Sequence, residues 1–146
     1  MITKQIFIFD VDGTLTPSRQ KIDKKFGDWF LNFCRHFEVH LVTGSDYKKT
    51  VQQLGKEICE TVNTCFNCSG NDIWRRGENI QTNEFEVPSE LLDFLIYRMR
   101  STVFDDFAGK HFEFRPGSMN FSIVGRKANW LHRQKYIAHD EIFHER

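Results

Sequence analysis

Residues 5–16, QIFIFDVDGTLT, decide the fold of this chain. The first seven of them form a short apolar run rich in Ile and Phe, and polar, glycine-containing sequence follows. This pattern predicts a buried strand that leads into a loop. Asp10 lies where that strand ends. Because ligands of open α/β sheets bind outside the carboxyl ends of the strands, we expect the Asp10 carboxylate to project into a ligand crevice.

Strand and helix patterns alternate after this segment. Residues 21–36 carry apolar side chains at helical spacing and predict a helix. Residues 38–43 predict a second strand, residues 44–58 a second helix, and residues 62–66 a third strand. Such alternation favours a parallel sheet with crossover helices, and therefore an α/β fold.

The remainder of the chain has a different pattern. Residues 72–85 are polar, with a glycine at a turn, and predict a small hairpin. A helix is predicted after Pro88, with its leucines on one face. His111–Arg115 and Met119–Val124 alternate on either side of a Pro-Gly-Ser turn, which predicts an antiparallel hairpin. The spacing of apolar residues over 128–146 is compatible with a final helix.

The composition bounds both the organisation and the class of protein. We predict an α/β core domain at residues 1–82 and an α+β domain at residues 83–146. The 20 basic and 20 acidic residues balance, so neither nucleic acid nor a membrane surface is favoured as a partner. No apolar run approaches the roughly 20 residues that span a bilayer. The N-terminus is a poor signal peptide, and we expect a cytoplasmic protein.

The cysteines give little indication of function. Cys65 and Cys68 are the only close pair among the four, and neither a second such pair nor a histidine pair follows at zinc-site spacing. We therefore expect reduced thiols that pack near the end of a strand.

The two aspartates suggest a specific chemistry. A carboxylate such as that of Asp10 can attack a phosphoryl group and form an aspartyl-phosphate. Mg²⁺ held by oxygen ligands would offset the charge of the two approaching anions. An acid two residues later, Asp12, can protonate the leaving oxygen and deprotonate the incoming one. Gly13 allows the sharp turn between strand and loop.

A second loop complements the first. Thr43, Gly44 and Ser45 follow the second predicted strand, where hydroxyl groups and helix amides can bind a phosphate. An Asp-x-Asp-Gly sequence after a strand is also found in ordinary turns and calcium-type loops. Its position after an Ile/Phe strand and the presence of this second loop favour phosphoryl transfer.

The motifs resemble a known family. DVDGTLT at 10–16 with LVTGSD at 41–46 resembles the haloacid dehalogenase superfamily. DVDGTLTPSRQKI at 10–22, GSDYKKTVQQLG at 44–55 and EFRPGSMNFSIVGR at 113–126 resemble eukaryotic-type phosphomannomutase. The resemblance implies a Rossmann-like core with an α+β cap built on an antiparallel sheet. It also implies the interconversion of mannose 6-phosphate and mannose 1-phosphate through a sugar bisphosphate.

The resemblance also assigns roles to individual residues. Asp10 would be the nucleophile and Asp12 the acid/base, with Mg²⁺ held by the Asp10 carboxylate and the Asp12 main-chain carbonyl. The residues implied in sugar-phosphate binding are Arg19, Thr43, Gly44, Ser45 and Gln53 in the core and Arg115, Asn120, Arg126 and Arg133 in the cap. Planar guanidinium groups grip phosphate bidentately, which suits a second, non-reacting phosphate site. Strand alternation places Arg115 on the face of Glu113, pointing out of the core.

The resemblance covers nearly all of this chain but only the first part of a family member. The part not matched carries a phosphate-site lysine and a further Mg²⁺ acid in the family. We therefore expect little or no mutase activity from the chain itself, and an exposed apolar sheet edge. Two alternatives remain open: a sugar phosphatase of the same superfamily, and a non-catalytic relative. We also expect a homodimer formed through the cap.

Overall fold

The computed structural model describes residues 5–145 and contains two compact units. The first unit ends at Glu84 and the second begins at Phe85. The first unit contains β1 (Ile6–Asp10), α1 (Lys24–His36), β2 (Glu38–Val42), α2 (Tyr47–Leu54), α3 (Lys56–Thr61), β3 (Thr64–Asn67), β4 (Asp72–Arg75) and β5 (Glu78–Thr82).

One five-stranded sheet organises the first unit, with the strands in the order β1-β2-β3-β4-β5. The first three strands are parallel, and the crossover helices predicted between them are present. The predicted α/β fold with a parallel sheet is thereby confirmed. The hairpin predicted for residues 72–85 also forms, and its strands extend the same sheet in the antiparallel sense. The sheet is therefore mixed.

Strand β1 differs from the prediction. We expected a strand buried on both faces, yet Ile6 and Ile8 are 59% and 67% exposed. The alternate residues Phe7 and Phe9 pack against the aromatic rings of α1, including Phe33. The expectation of a buried strand was wrong, because only the phenylalanine face of β1 packs on the core; β1 is also the outermost of the described strands of this sheet. The expected exposed apolar edge is present.

The helices differ from the predictions at their ends. Helix α1 begins at Lys24 rather than near residue 21, because the Asp23 side chain accepts a hydrogen bond from the Phe26 amide and caps the helix. The single helix predicted over 44–58 is two helices. They meet at Gly55, whose φ of 88° does not fit a continuous helix.

The thiol groups behave as expected. All four cysteines are buried with free thiols, and Cys65 lies in β3 with Cys68 directly after it. Burial raises the pKa of the Cys34 thiol to about 12, and the hydrogen-bond interaction with Cys59, together with burial, raises the pKa of Cys65. Buried, protonated thiols are poor nucleophiles, so these residues belong to the packing of the core.

The second unit contains α4 (Ser89–Ser101), β6 (Phe112–Arg115), β7 (Ser118–Phe121) and α5 (Trp130–Phe143). Strands β6 and β7 form the predicted antiparallel hairpin. Its strands are shorter than predicted, because Ile123 and Val124 leave the ladder and enter the core of the unit. The predicted α+β character is confirmed.

The predicted final helix is present as α5, and it leaves Trp130, Ile137 and Phe143 exposed. Tyr136 is the buried residue of this helix, and its ring packs edge-on against Phe104. Among residues 5–145, no helix is both long enough and apolar enough to cross a membrane.

Candidate active site

The loop that follows β1 is a tight, anchored turn. The buried carbonyl of Val11 accepts hydrogen bonds from the amides of Thr14, Leu15 and Thr16, at 3.3, 3.1 and 3.1 Å. Gly13 has a φ of 85°, a conformation that glycine adopts without strain, and its amide donates to the Thr16 carbonyl. The anchored turn fixes the backbone between the two candidate aspartates.

Asp10 is the last residue of β1, and its side chain is exposed. The Thr14 hydroxyl donates to its Oδ2 at 3.4 Å, a long contact that leaves the carboxylate accessible. The carboxylate therefore lies at the carboxyl end of a parallel strand, which is where the sequence analysis places it.

Asp12 is held by several donors. Its Oδ1 accepts from the backbone amide of Arg19 at 2.8 Å and from the side-chain amide of Gln53 at 2.9 Å. The Ser45 side chain contributes another hydrogen bond. Gln53 is almost fully buried, and its Nε2 also donates to the Thr16 hydroxyl at 3.1 Å. The nucleophile loop and the last turn of α2 therefore meet at this carboxylate.

These contacts determine the charge of Asp12. The Arg19 amide, followed by the Gln53 and Ser45 side chains and the Arg19 charge, lowers the pKa of Asp12, although partial burial acts in the opposite direction. In this arrangement Asp12 is ionised at neutral pH and can accept a proton. To donate a proton it must first take one up, and the hydrogen bonds that stabilise the carboxylate oppose that uptake.

Gln53→Leu is expected to raise the pKa of Asp12, because the variant removes a hydrogen-bond donor that stabilises the carboxylate. A titration of the ¹³C-labelled Asp12 carboxyl by NMR measures this directly. Gln52→Leu is the matched control, since Gln52 is an exposed neighbour on the same helix. An Asp12 pKa that is unchanged or lower in Gln53→Leu would show that the amide does not hold the carboxylate.

The second loop lies at the end of β2. Thr43 is buried, its hydroxyl oxygen accepts from the Ser45 amide at 3.1 Å, and its carbonyl accepts from the Ser69 amide. Asp46, and not Ser45, caps α2, since its carboxylate accepts from the Lys49 amide at 2.9 Å. Gly44 is exposed between the two anchored residues. The segment 43–45 thus forms a fixed turn beside the N-terminus of a helix.

Two core residues with an implied role in sugar-phosphate binding also contact the candidate acid/base. Gln53 directs its amide at Asp12 and Thr16. Arg19 reaches Asp12 through its backbone amide, and it adopts a φ of 61° that non-glycine residues seldom show. In the structure, both act on the candidate acid/base.

In the second unit two arginines share one carboxylate. Arg115 Nη2 lies 3.0 Å from Glu113 Oε2, and Arg126 places Nη2 at 2.6 Å and Nε at 2.8 Å from the same oxygen. The Arg115 side chain is only 12% exposed. It was expected to point out of the core, but the structure keeps most of it covered because it lies along the hairpin beside Glu113.

The other two predicted cap residues, Asn120 and Arg133, lie on β7 and α5. Asn120 is directly opposite Glu113 in the hairpin register, so its side chain shares the face of Glu113. Arg133 is in the first turns of α5, and its Nε donates to the Ala128 carbonyl at 3.2 Å. The hairpin thus brings Asn120 beside the shared carboxylate.

Glu113 and Thr16 were not among the predicted site residues. The two-residue spacing between Glu113 and Arg115 is visible in the sequence, and it does place both on one face of a strand. The contact between Thr16 and Gln53 spans 37 residues and leaves no local pattern.

The donor atoms near Asp10 suit a hard cation. In the described part of the chain, no three His, Cys, Asp or Glu residues are arranged to hold a metal ion. The Asp10 carboxylate and main-chain carbonyls of the following loop are oxygen ligands, the type that Mg²⁺ takes while it keeps several waters. The residues present are therefore compatible with the magnesium site that the sequence predicts.

Comparisons with known proteins were made for the whole sequence. The model of a family described as eukaryotic phosphomannomutase matches residues 26–146. Phosphomannomutase 1 of Mus musculus is 30% identical over an alignment of 142 residues, which covers 92% of this chain and 54% of the mouse protein. Phosphomannomutase of Dendrobium officinale is 30% identical over an alignment of 143 residues, which covers 94% of this chain and 57% of that protein. The chain spans about half the length of the curated relatives it matches.

Solved structures also match. A haloacid dehalogenase-like hydrolase from Bacteroides thetaiotaomicron matches with a TM-score of 0.49 and 19% identity, over 67% of this chain and 38% of that one. The family model covers most of the sequence, including the hairpin of β6 and β7 in the second unit and the loop at residues 43–45. This chain belongs to the eukaryotic phosphomannomutase family.

Proposed function

We propose that this protein transfers phosphoryl groups between sugar phosphates through an aspartyl-phosphate, as a phosphomannomutase. The observation that carries the proposal is the arrangement of the first unit. Asp10 ends β1 with an accessible carboxylate, and Asp12 is bound to Gln53 and Ser45 on the adjoining element. A nucleophile and a proton-transfer group therefore lie two residues apart on a fixed loop, beside the turn at Thr43.

The transfer runs in two steps. A carboxylate oxygen of Asp10 attacks the phosphorus of a sugar bisphosphate, and the bond between that phosphorus and the sugar oxygen breaks. Asp12 supplies the proton that the leaving sugar oxygen takes up. In the second step a hydroxyl of a sugar monophosphate loses its proton to Asp12 and attacks the acyl phosphate, which restores the Asp10 carboxylate.

The hydrogen bonds of Asp12 suit the second step. With its pKa lowered, Asp12 is a carboxylate ready to accept a proton from the incoming hydroxyl. The first step requires the protonated acid, and Asp12 carries that proton after it has accepted it from the attacking hydroxyl in the second step of the preceding turnover. Mg²⁺ at the Asp10 carboxylate and the Asp12 carbonyl would offset the negative charge of the reacting groups.

The arginines of the second unit have a separate role. A mutase binds its substrate in two orientations, so it needs a site for the phosphate that does not react. Arg115 on the hairpin and Arg126, which follows it, lie close together and carry the planar donor groups that bind phosphate bidentately. A phosphatase has no need of such a second phosphate site, and this observation favours the mutase.

The test is whether the conversion of mannose 1-phosphate depends on a bisphosphate. The purified chain, supplied with Mg²⁺ and mannose 1-phosphate, is expected to form mannose 6-phosphate only when a hexose 1,6-bisphosphate is added, as followed by ³¹P NMR. The criterion is this dependence and not the speed, because turnover by this chain is expected to be low. Release of inorganic phosphate without any need for bisphosphate would identify a sugar phosphatase. The absence of any phosphoryl transfer would favour the non-catalytic alternative.

Location and assembly are part of the proposal. We infer a cytoplasmic protein whose partner is a small sugar phosphate, and a homodimer formed through the second unit. Apolar side chains exposed on the helices of that unit support the dimer, with Trp130 73% and Tyr97 64% exposed. Sedimentation of a monomer at all concentrations would contradict it.

A further inference from the structure

We propose that Glu113 is a positioning residue whose carboxylate holds Arg115 and Arg126 together and orients both guanidinium groups toward one phosphate. The inference rests on the proposed function, since it concerns the phosphate that does not react. Nothing in the motif itself assigns this acid a role. The contacts of its carboxylate carry the argument.

A single oxygen joins the two arginines. Glu113 Oε2 accepts from Arg115 Nη2 at 3.0 Å, and from Arg126 Nη2 and Nε at 2.6 and 2.8 Å. The two contacts from Arg126 fix the plane of its guanidinium as well as its position. One acid therefore determines the separation and orientation of both groups.

The electrostatics require such an acid. Two guanidinium groups that converge on one point repel each other, and Arg115 is too well covered for water to screen its charge. The Glu113 carboxylate, 31% exposed, reduces the charge of the trio from plus two to plus one. An approaching phosphate dianion therefore still meets a net positive cluster.

A guanidinium group can hold a carboxylate and a second anion at the same time. A guanidinium is a planar fork with several N–H groups, and an anion can bind on one edge while a carboxylate holds another. The backbone keeps the trio in register, because Glu113 and Arg115 lie on one face of β6 and the Arg126 amide donates to the Lys110 carbonyl at 2.7 Å. The orientation of the pair is thus built before any phosphate arrives.

The inference differs from an account in which Glu113 merely competes with phosphate. If the carboxylate only occupied the phosphate site, its removal would tighten phosphate binding. If it positions the arginines, its removal lets them separate and weakens binding. The two accounts predict opposite signs for the same variant.

The experiment is a titration of the full chain with inorganic phosphate, followed by two-dimensional ¹H–¹⁵N NMR. The Nε–H signals of Arg115 and Arg126, assigned through Arg→Lys variants, report the second unit. The amides of Gly44 and Ser45 report the first. In Glu113→Gln the phosphate concentration for half-saturation of the arginine signals is expected to rise about tenfold or more, because the charge that orients the pair is gone. The Gly44 and Ser45 response should not change.

Two further variants keep the result interpretable. Glu86→Gln is the matched control, an exposed acid in the same unit that should leave the titration unchanged. Glu113→Asp retains the charge but withdraws it by one methylene, and should weaken binding less than Gln does. If Glu113→Gln fails to fold, the weaker binding of the Asp variant still tests the inference.

A double-mutant cycle separates positioning from a general structural role. With Arg126 already changed to Lys, Glu113→Gln should cause a smaller loss of phosphate affinity than it does in the wild-type chain, since the part of its effect that acts through Arg126 is already gone and only the part through Arg115 remains. Unchanged or tighter phosphate binding by folded Glu113→Gln, or by Glu113→Asp, would overturn the inference while leaving the proposed function intact. Arginine signals that do not respond to phosphate in the wild-type chain would instead remove the phosphate site itself, and the inference with it.

Discussion

Replacement of Asp10 by Asn is expected to lower phosphoryl transfer from a hexose bisphosphate to the background rate, because an uncharged amide cannot form the acyl phosphate. Asp10 ends β1 at an exposed position, with the Thr14 hydroxyl at 3.4 Å as a long contact. The substitution keeps the shape of the side chain, so the anchored turn should persist. The measurement is the initial rate of transfer in the presence of Mg²⁺.

The control for this variant is Asp28→Asn. Asp28 is an exposed acid on α1, outside the loops of the candidate site. It should retain the wild-type rate, whereas Asp10→Asn should lie at background. Retention of substantial transfer by a folded Asp10→Asn variant would mean that another residue is the nucleophile.

Replacement of Gly125 by Ala is expected to destabilise the second unit by roughly 3 kcal/mol. Gly125 has a φ of 92°, and a Cβ built on it would lie 2.4 Å from the carbonyl oxygen of Ala108. Backbone atoms cannot move aside cheaply, and the Ala108 carbonyl also accepts from the Lys127 amide. Since Arg126 follows directly, the same clash should displace it from Glu113.

Urea denaturation of the whole chain, followed by a signal from each unit, measures the loss in stability. Gly55→Ala separates the two causes, because Gly55 has a φ of 88° with nothing within 4 Å of the added Cβ. That variant meets only backbone strain, at a φ of 88° and ψ of 153° that glycine alone adopts readily, and should lose roughly 2 kcal/mol, less than Gly125→Ala. Equal losses in the two variants would show that the contact with Ala108 does not limit the fold.

The sequence specified the features that local patterns encode. The change from an apolar run to Asp and Gly placed Asp10 at the end of a strand, and the Pro-Gly-Ser turn between alternating residues located the hairpin. Both follow from side-chain periodicity and turn chemistry, which act over a few residues.

The features that were missed depend on long-range packing. An Ile/Phe run looks the same whether one face of a strand is covered or both, so the exposure of Ile6 and Ile8 could not be read from it. The amide of Gln53 meets Asp12 across 41 residues, a contact without a local signal. Glu113 beside Arg115 resembles an ordinary surface ion pair until Arg126 folds onto the same oxygen.

The function of Asp10 is the central claim, and mass spectrometry tests it most directly. The chain is mixed with Mg²⁺ and mannose 1,6-bisphosphate, quenched in acid and digested, and the peptide that contains Asp10 is sequenced. We predict one phosphoryl group on Asp10, which hydroxylamine removes because the bond is an acyl phosphate. A phosphoryl group found on another residue, or transfer to sugar while the Asp10 peptide stays unmodified, would contradict this account.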